Sequence, residues 1–336
     1  MKEQTMKIRD IAIALLAASA AQAQAQSQVT VYGVIDLDLV RDNNGTAGVT
    51  RMDAGVLNGS RLGFKGSEDL GAGLSVIFQL ENGFTGDTGA QADPARLFNR
   101  LSFVGLSGKY GTLKLGRQNN PVYTTLTSWD PFAIGMAGDS SRLFSYNGSR
   151  TDNVVSYSYA VGKVRGEFQY GVGEVPGNNA ASRVLAGWTG YTVGALDVVA
   201  TYQNIRNAND TAATRMALIG GNYNLGPVKA FVSYAREDGV VLGSAKLLSQ
   251  RDALVGARIP VSEAGTVIVS WIRKTDRILV NGGANQYAIG YRHDLSKRTT
   301  LYTSIGELRN DAAALYKVVA AGKTDKLLNA GIRHIF

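Results

Sequence analysis

Alternation with a period of two runs through nearly the whole chain. From Leu327 to Phe336, the positions Leu328, Ala330, Ile332, His334 and Phe336 share one parity, and Asn329, Gly331 and Arg333 share the other. Such a segment is a β-strand with one side in an apolar medium and the other in water. The same pattern is strong at 29–40, 74–81, 100–106, 153–159, 196–203, 228–236, 251–259, 266–273, 286–292 and 300–308. Weaker versions occupy 60–66, 112–117, 164–171, 183–191 and 215–223, which with the terminal strand makes sixteen. An even number leaves both ends of the chain on one side of a sheet of up-and-down strands.

The linkers alternate too. Those at 67–73, 107–111, 161–163, 192–195, 224–227, 260–264 and 294–298 are short and rich in Gly, Pro, Asn, Ser or Asp, as tight turns require. Those at 41–59, 82–99, 118–149, 172–182, 204–214, 237–250, 274–285 and 309–326 are mostly longer. Short turns on one rim and long loops on the other are the rhythm of a membrane barrel, and a soluble β-sandwich has no reason to keep it. In lipid every backbone N–H and C=O must be paired inside the protein, which leaves only helices and closed barrels as spanning structures. No long apolar helix is present, so the pattern predicts an all-β fold, a transmembrane antiparallel barrel of sixteen strands.

Parity sorts the chemistry. In the segment 74–81, Leu74, Val76, Phe78 and Leu80 oppose Ser75, Gln79 and Glu81. In 196–203, Leu196, Val198, Ala200 and Tyr202 oppose Asp197, Thr201 and Gln203. Arg or Lys on the lipid face near the midplane costs about 2–4 kcal/mol, which assigns the charged strand residues to the lumen. Sixteen strands enclose more space than side chains fill, so the expectation is an aqueous channel. Tyrosines such as Tyr157, Tyr170, Tyr202 and Tyr234 are expected in the interfacial girdles.

Composition narrows the chemistry further. The amino terminus has Lys2, Lys7 and Arg9, an apolar run from Ile11 to Ala21, and Ala23-Gln24-Ala25, which reads as a cleaved export signal over residues 1–25 ahead of a barrel domain over 26–336. The net charge of +8 raises the question of nucleic acid, but the basic residues stand singly along strands and loops, and an exported protein does not meet that partner. With no cysteine there is neither disulfide nor thiolate site, and the two histidines, His293 and His334, are too few for an imidazole metal centre. Neither has a serine and carboxylate arranged around it. No cofactor and no metal are expected, and an outer-membrane barrel enzyme would have to rely on His334. An adhesin would need a passenger domain for which the strands leave no residues.

Five stretches carry a family resemblance: VTVYGVIDLDL from Val29, SRLGFKGSEDLGAGLSVIFQLENGF from Ser60, LFNRLSFVGLSGKYGTLKLGRQ from Leu97, LSKRTTLY from Leu295 and GIRHIF from Gly331. In this order they resemble the general porins of Gram-negative outer membranes, in particular the betaproteobacterial branch. The resemblance implies a homotrimer in the outer membrane, in contact with its lipid and lipopolysaccharide. It implies assembly by the barrel assembly machinery through a terminal strand ending in Phe336, and a third loop, here 118–149, folded into each pore. Trp129, Pro131 and Phe132 fall in that loop. Family positions further imply a constriction with a basic side of Arg61, Arg100 and Arg150, all on lumen parity, facing acidic Glu81 and Asp130. Guanidiniums focused by low-dielectric walls concentrate anions and repel cations, so passive diffusion of small hydrophilic solutes with anion preference is expected. A substrate-specific porin is the nearest alternative.

Overall fold

The computed structural model describes residues 28–145 and 147–336; the expected signal segment lies outside the described residues. In chain order the strands are β1 (Gln28–Asn43), β2 (Gly48–Ala54), β3 (Arg61–Gly71), β4 (Leu74–Gly83), β5 (Leu101–Gly108) and β6 (Gly111–Asn119). A helix, α1 (Pro121–Trp129), follows. Then come β7 (Arg150–Val161), β8 (Val164–Gly171), β9 (Val184–Val193), β10 (Leu196–Arg206), β11 (Ala213–Asn224) and β12 (Lys229–Val240). The sheet finishes with β13 (Leu247–Pro260), β14 (Gly265–Asp276), β15 (Ala284–Asp294), β16 (Thr299–Asn310) and β17 (Thr324–Ile335). Each strand from β3 onward pairs antiparallel with the next, and β17 returns to β1 from Val34↔Ile335 to Asn43↔Lys326. Backbone bonds of 3.1 Å in both directions between Gly33 and Phe336 complete the seam. The Phe336 ring occupies the space over Gly33 that a β-carbon would take, so no edge is left exposed to lipid.

Seventeen strands make sixteen staves, because β2 and β3 follow one another along the same side of β1. The linker read as 41–59 is therefore mostly strand: β1 continues to Asn43 and β2 resumes at Gly48. Its polar residues Arg41, Asp42, Arg51 and Asp53 mask the alternation, and Arg51 pairs with Asp42 and Asp53 at 3.0 and 2.9 Å. Between Ala54 and Arg61 the stave is broken. Buried Asp36 on β1 caps the break, accepting from Asn58 N at 2.5 Å through its carboxylate and from Gly55 N at 2.9 Å through its carbonyl. Tyr302 donates to the other carboxylate oxygen.

Outward positions such as Leu39, Val104, Ile219, Val232, Ile289 and Ile305 are exposed apolar side chains and form the lipid-facing belt. The inward face is less uniform than parity predicts. Along β10–β16, inward Val199, Leu218, Phe231, Leu254, Ile272 and Leu308 are buried, packed against Val122, Leu126, Trp129 and Phe144 of the segment between β6 and β7. Burying such a side chain contributes roughly 1.5–3 kcal/mol. On this side of the barrel a dry cluster built with the loop thus replaces part of the expected water-lined surface. The assignment of all strand charges to the lumen is also corrected. Arg41, Arg215, Arg236, Arg309 and Lys326 share parity with the apolar belt, at the loop-side ends of their strands.

Candidate functional site

The third loop is a lasso with a hydrogen-bonded neck. Asn120 caps α1 by accepting from Tyr123 N at 3.0 Å, Pro121 follows it, and the same side chain donates to Gly148 O at 2.7 Å. Asn120 N also bonds Ser149 O at 3.0 Å. Asn before Pro is a helix-start signal present in the sequence but not read there. From the neck the loop crosses to the opposite wall. Thr125 and Thr201 hydroxyls meet at 2.6 Å, Arg258 Nε donates to Pro131 O at 2.6 Å, and Ala137 N donates to Ser304 Oγ at 2.9 Å. The tip reaches the broken stave, where Met136 N donates to Val56 O at 2.8 Å. The break thereby frees a carbonyl that the loop uses.

This crossing leaves a basic wall facing the uncovered side of α1. Arg61 opens β3, Arg100 immediately precedes β5 and Arg150 opens β7, all at the loop-side ends of alternate staves of one wall. Glu81 is buried among them: its carboxylate lies 2.6 Å from Arg100 Nε and 3.9 Å from Arg61 Nε, and accepts from Tyr32 OH at 2.9 Å. Arg150 stacks over the Tyr123 ring at 5.0 Å, and its buried Nε has no hydrogen-bond partner. A fourth arginine, Arg117, pairs with Asp152 and donates to Asn99 O at 2.8 Å. Arg100, Arg117 and Arg150 line a cavity of about 350 Å³ together with Asn99, Ser60 and Ser149. Arg96 pairs with Asp93 and Asp152 at the rim, so five guanidiniums stand against three carboxylates and leave the wall positive. Arg117, Tyr32 and Tyr123 were not foreseen as members; Arg117 could have been, since its strand carries it beside Asn119, whose register partner is Arg150.

The expected acidic partner Asp130 is not on this wall. It is fully buried at the end of α1, where its carboxylate accepts from Phe132 N at 2.8 Å, Ile134 N at 3.0 Å and Ser140 N at 3.1 Å. A short acceptor after a helix satisfies turn N–H groups. Desolvation pushes this carboxyl up to about 6. Trp129, Pro131 and Phe132 are likewise turned away from the basic wall and buried, with Phe132 packed on Met136, Ile268 and Tyr302. The side chains that α1 leaves less covered are Tyr123, Thr124, Thr127 and Ser128. Both histidines are surface groups: His293 Nδ1 lies 3.2 Å from Tyr291 OH, and His334 Nδ1 lies 2.9 Å from Thr299 Oγ1.

A family model described as Gram-negative porin matches residues 12–313. The chain belongs to the Gram-negative porin family. This porin is 33% identical to an outer membrane porin protein of Bordetella pertussis, over 98% of this chain and 100% of that one. It is 32% identical to outer membrane porin protein 32 of Delftia acidovorans over the same shares. Among solved structures, an anion-selective porin from Comamonas acidovorans superposes with a TM-score of 0.78 at 28% identity, covering 93% of this chain and 100% of that one. A trimer form of in-vitro folded OmpT of Vibrio cholerae shares the fold, with a TM-score of 0.73 at 15% identity over 92% and 99% of the two chains. The porin is an integral outer-membrane protein, and its relatives are channels.

Proposed function

We propose that this porin is a passive channel for small hydrophilic solutes, narrowed by its third loop, and that Arg61, Arg100 and Arg150 make it prefer anions. The observation that carries the reading is the charge imbalance around Glu81. One carboxylate engages Arg100 closely and Arg61 more distantly, while Arg150 is held by an aromatic ring and keeps an unpartnered N–H. If the arginines served only to hold the loop, each would be expected to end on a carboxylate or a loop carbonyl. Arginine suits the role because it stays charged at every physiological pH and offers paired donors to carboxylate or phosphate. The similar porin from Comamonas acidovorans is anion-selective, which agrees in sign.

We further propose a homotrimer, and the Phe336 strand as the element that the assembly machinery reads. Reconstitution in a planar bilayer tests the channel directly. Conductance steps in threes, with a reversal potential favouring chloride across a KCl gradient, are the expected outcome. Folded protein that opens no channel would overturn the reading, and preference for potassium would keep the channel but reject the arginine argument.

A further inference from the structure

Arg100 lies along the wall rather than reaching into the channel, and two glycines make room for it. Its side chain is 14% exposed, against 22% for Arg61. A β-carbon on Gly83, at the end of β4, would stand 3.0 Å from Arg100 Cδ and 3.2 Å from its Cγ. A β-carbon on Gly59, in the break between β2 and β3, would stand 2.9 Å from Arg100 Nη1. The stem thus crosses one glycine and the guanidinium the other, while Nε meets Glu81 at 2.6 Å. Neither glycine has the left-handed backbone that would by itself call for the residue, so close approach of another part of the chain is what each allows.

The slot is held on both sides. Phe84 N donates to Ser60 O at 3.1 Å, which ties the two glycine-bearing segments to each other. Ser60 Oγ accepts from Asp36 N at 3.0 Å, and the Asn58 side chain accepts from Arg333 at 2.7 Å, so both neighbours of Gly59 are fixed. Gly83 N donates to Asn99 Oδ1 at 2.7 Å, and Arg100 N donates to Glu81 O at 3.1 Å. With the backbone beneath the guanidinium bonded in place, anything that fills the slot has to move Arg100.

We propose that Gly59 and Gly83 are positioning residues for Arg100: their missing side chains let the guanidinium lie flat beside Glu81, which sets the width of the constriction and how much of that charge a passing ion feels. This rests on the reading of Arg100 as a constriction charge. Gly59 is the more informative of the two. Among the described residues, its own chain neighbours aside, only Arg100 has atoms within 4 Å of the added carbon, whereas Gly83 also faces Asn99. Ordinary contact at 3.4 Å or more demands that the head rise by about 0.5 Å for alanine, and by more for valine, which brings two further methyl groups. A raised head narrows the opening, and drawn away from Glu81 it presents more charge to the solute.

The test is a double-mutant cycle in planar bilayers, with Gly59→Val and Gly59→Ala each made in the unaltered chain and in Arg100→Gln. Gly59→Val should lower single-channel conductance about twofold and raise the chloride-to-potassium permeability ratio about twofold, and Gly59→Ala should shift both the same way by less. In Arg100→Gln neither substitution should move either quantity, since glutamine ends short of Gly59. Equal changes with and without Arg100 would mean that Gly59 serves only the fold of the break, and unchanged Gly59→Val channels would mean that the slot does not hold the guanidinium; either result overturns the proposal. If valine yields no folded channel, Gly59→Ala decides by the same criteria. A parent channel that prefers potassium would reject the anion reading instead, and the dependence of conductance on Arg100 would still judge the slot.

Discussion

Replacing Arg150 with glutamine removes the constriction charge that is farthest from neutralisation, and its effect on ion selectivity can be worked out. For an ion passing at about 5 Å from the guanidinium, with about 0.1 M salt and a Debye length of about 10 Å, the interaction is roughly 0.5 kcal/mol at the dielectric of water and roughly 1 kcal/mol at half that value. Anions lose this attraction and cations lose the matching repulsion, so the chloride-to-potassium permeability ratio should fall by about 5-fold to 30-fold. At about 1 M salt, with a Debye length of about 3 Å, the fall should shrink to about twofold or threefold. Glu81→Gln removes the buried counter-charge and should move the ratio the other way. The assay is the reversal potential across a KCl gradient in a planar bilayer, repeated at both ionic strengths. A ratio in open Arg150→Gln channels that matches the unaltered protein at low salt would refute the reasoning, and so would a shift that does not weaken at high salt. The triple variant Arg61→Gln/Arg100→Gln/Arg150→Gln should favour cations.

Three further perturbations address the loop and its anchors. Leu126→Ala, at a fully buried contact between α1 and the inner wall, should cost about 2–5 kcal/mol of loop packing; conductance noise should rise while the barrel's heat-modifiable migration in detergent gels stays unchanged. Lys274 lies 3.0 Å from both carboxylate oxygens of Asp252, and both residues are buried. Lys274→Met should therefore destabilise by about 3–5 kcal/mol, and adding Asp252→Leu should recover most of it, as read by thermal unfolding in detergent. Asp130 has its carboxyl raised to about 6 by burial, so the folded loop favours its protonated form. That contribution is complete below the unfolded value near 3.9 and is lost as pH rises through about 6. Channel noise should accordingly increase between about pH 5 and pH 7, and Asp130→Asn should flatten the profile.

The barrel was legible because alternation is imposed on every stave by the same two media. The misreadings fall where a third medium intervenes. The stretch 48–54 hid as loop because its inward positions pair with charges on β1 rather than with water, and the alternation of apolar and polar residues there is weak. Along β10–β16 the inward residues Val199, Leu218 and Leu254 blur the two-sided pattern, since they face the third loop. The arginines were found from strand parity and family position, which a constriction on alternate staves of one wall preserves. Asp130 was misplaced because sequence gives a loop residue no parity: whether its carboxylate meets an arginine or three backbone N–H groups depends on the turn after α1.

These two departures from simple alternation have one cause. A channel wide enough for sixteen staves can be selective only if something stands inside it, and a loop standing in water would have to order its backbone without burying apolar surface to offset the entropy. The structure supplies that surface from one side of the barrel, setting apolar residues among the inward positions of β10–β16 to gain a dry interface for Leu126, Trp129 and Phe144. The broken stave supplies the complement, a free carbonyl at Val56 for Met136 N and a carboxylate cap at Asp36. What remains wet is the opposite wall, and that is where the unneutralised arginines stand. Loosening the loop should therefore weaken selectivity even in channels with every arginine intact, because ions could then pass beyond the reach of Arg150.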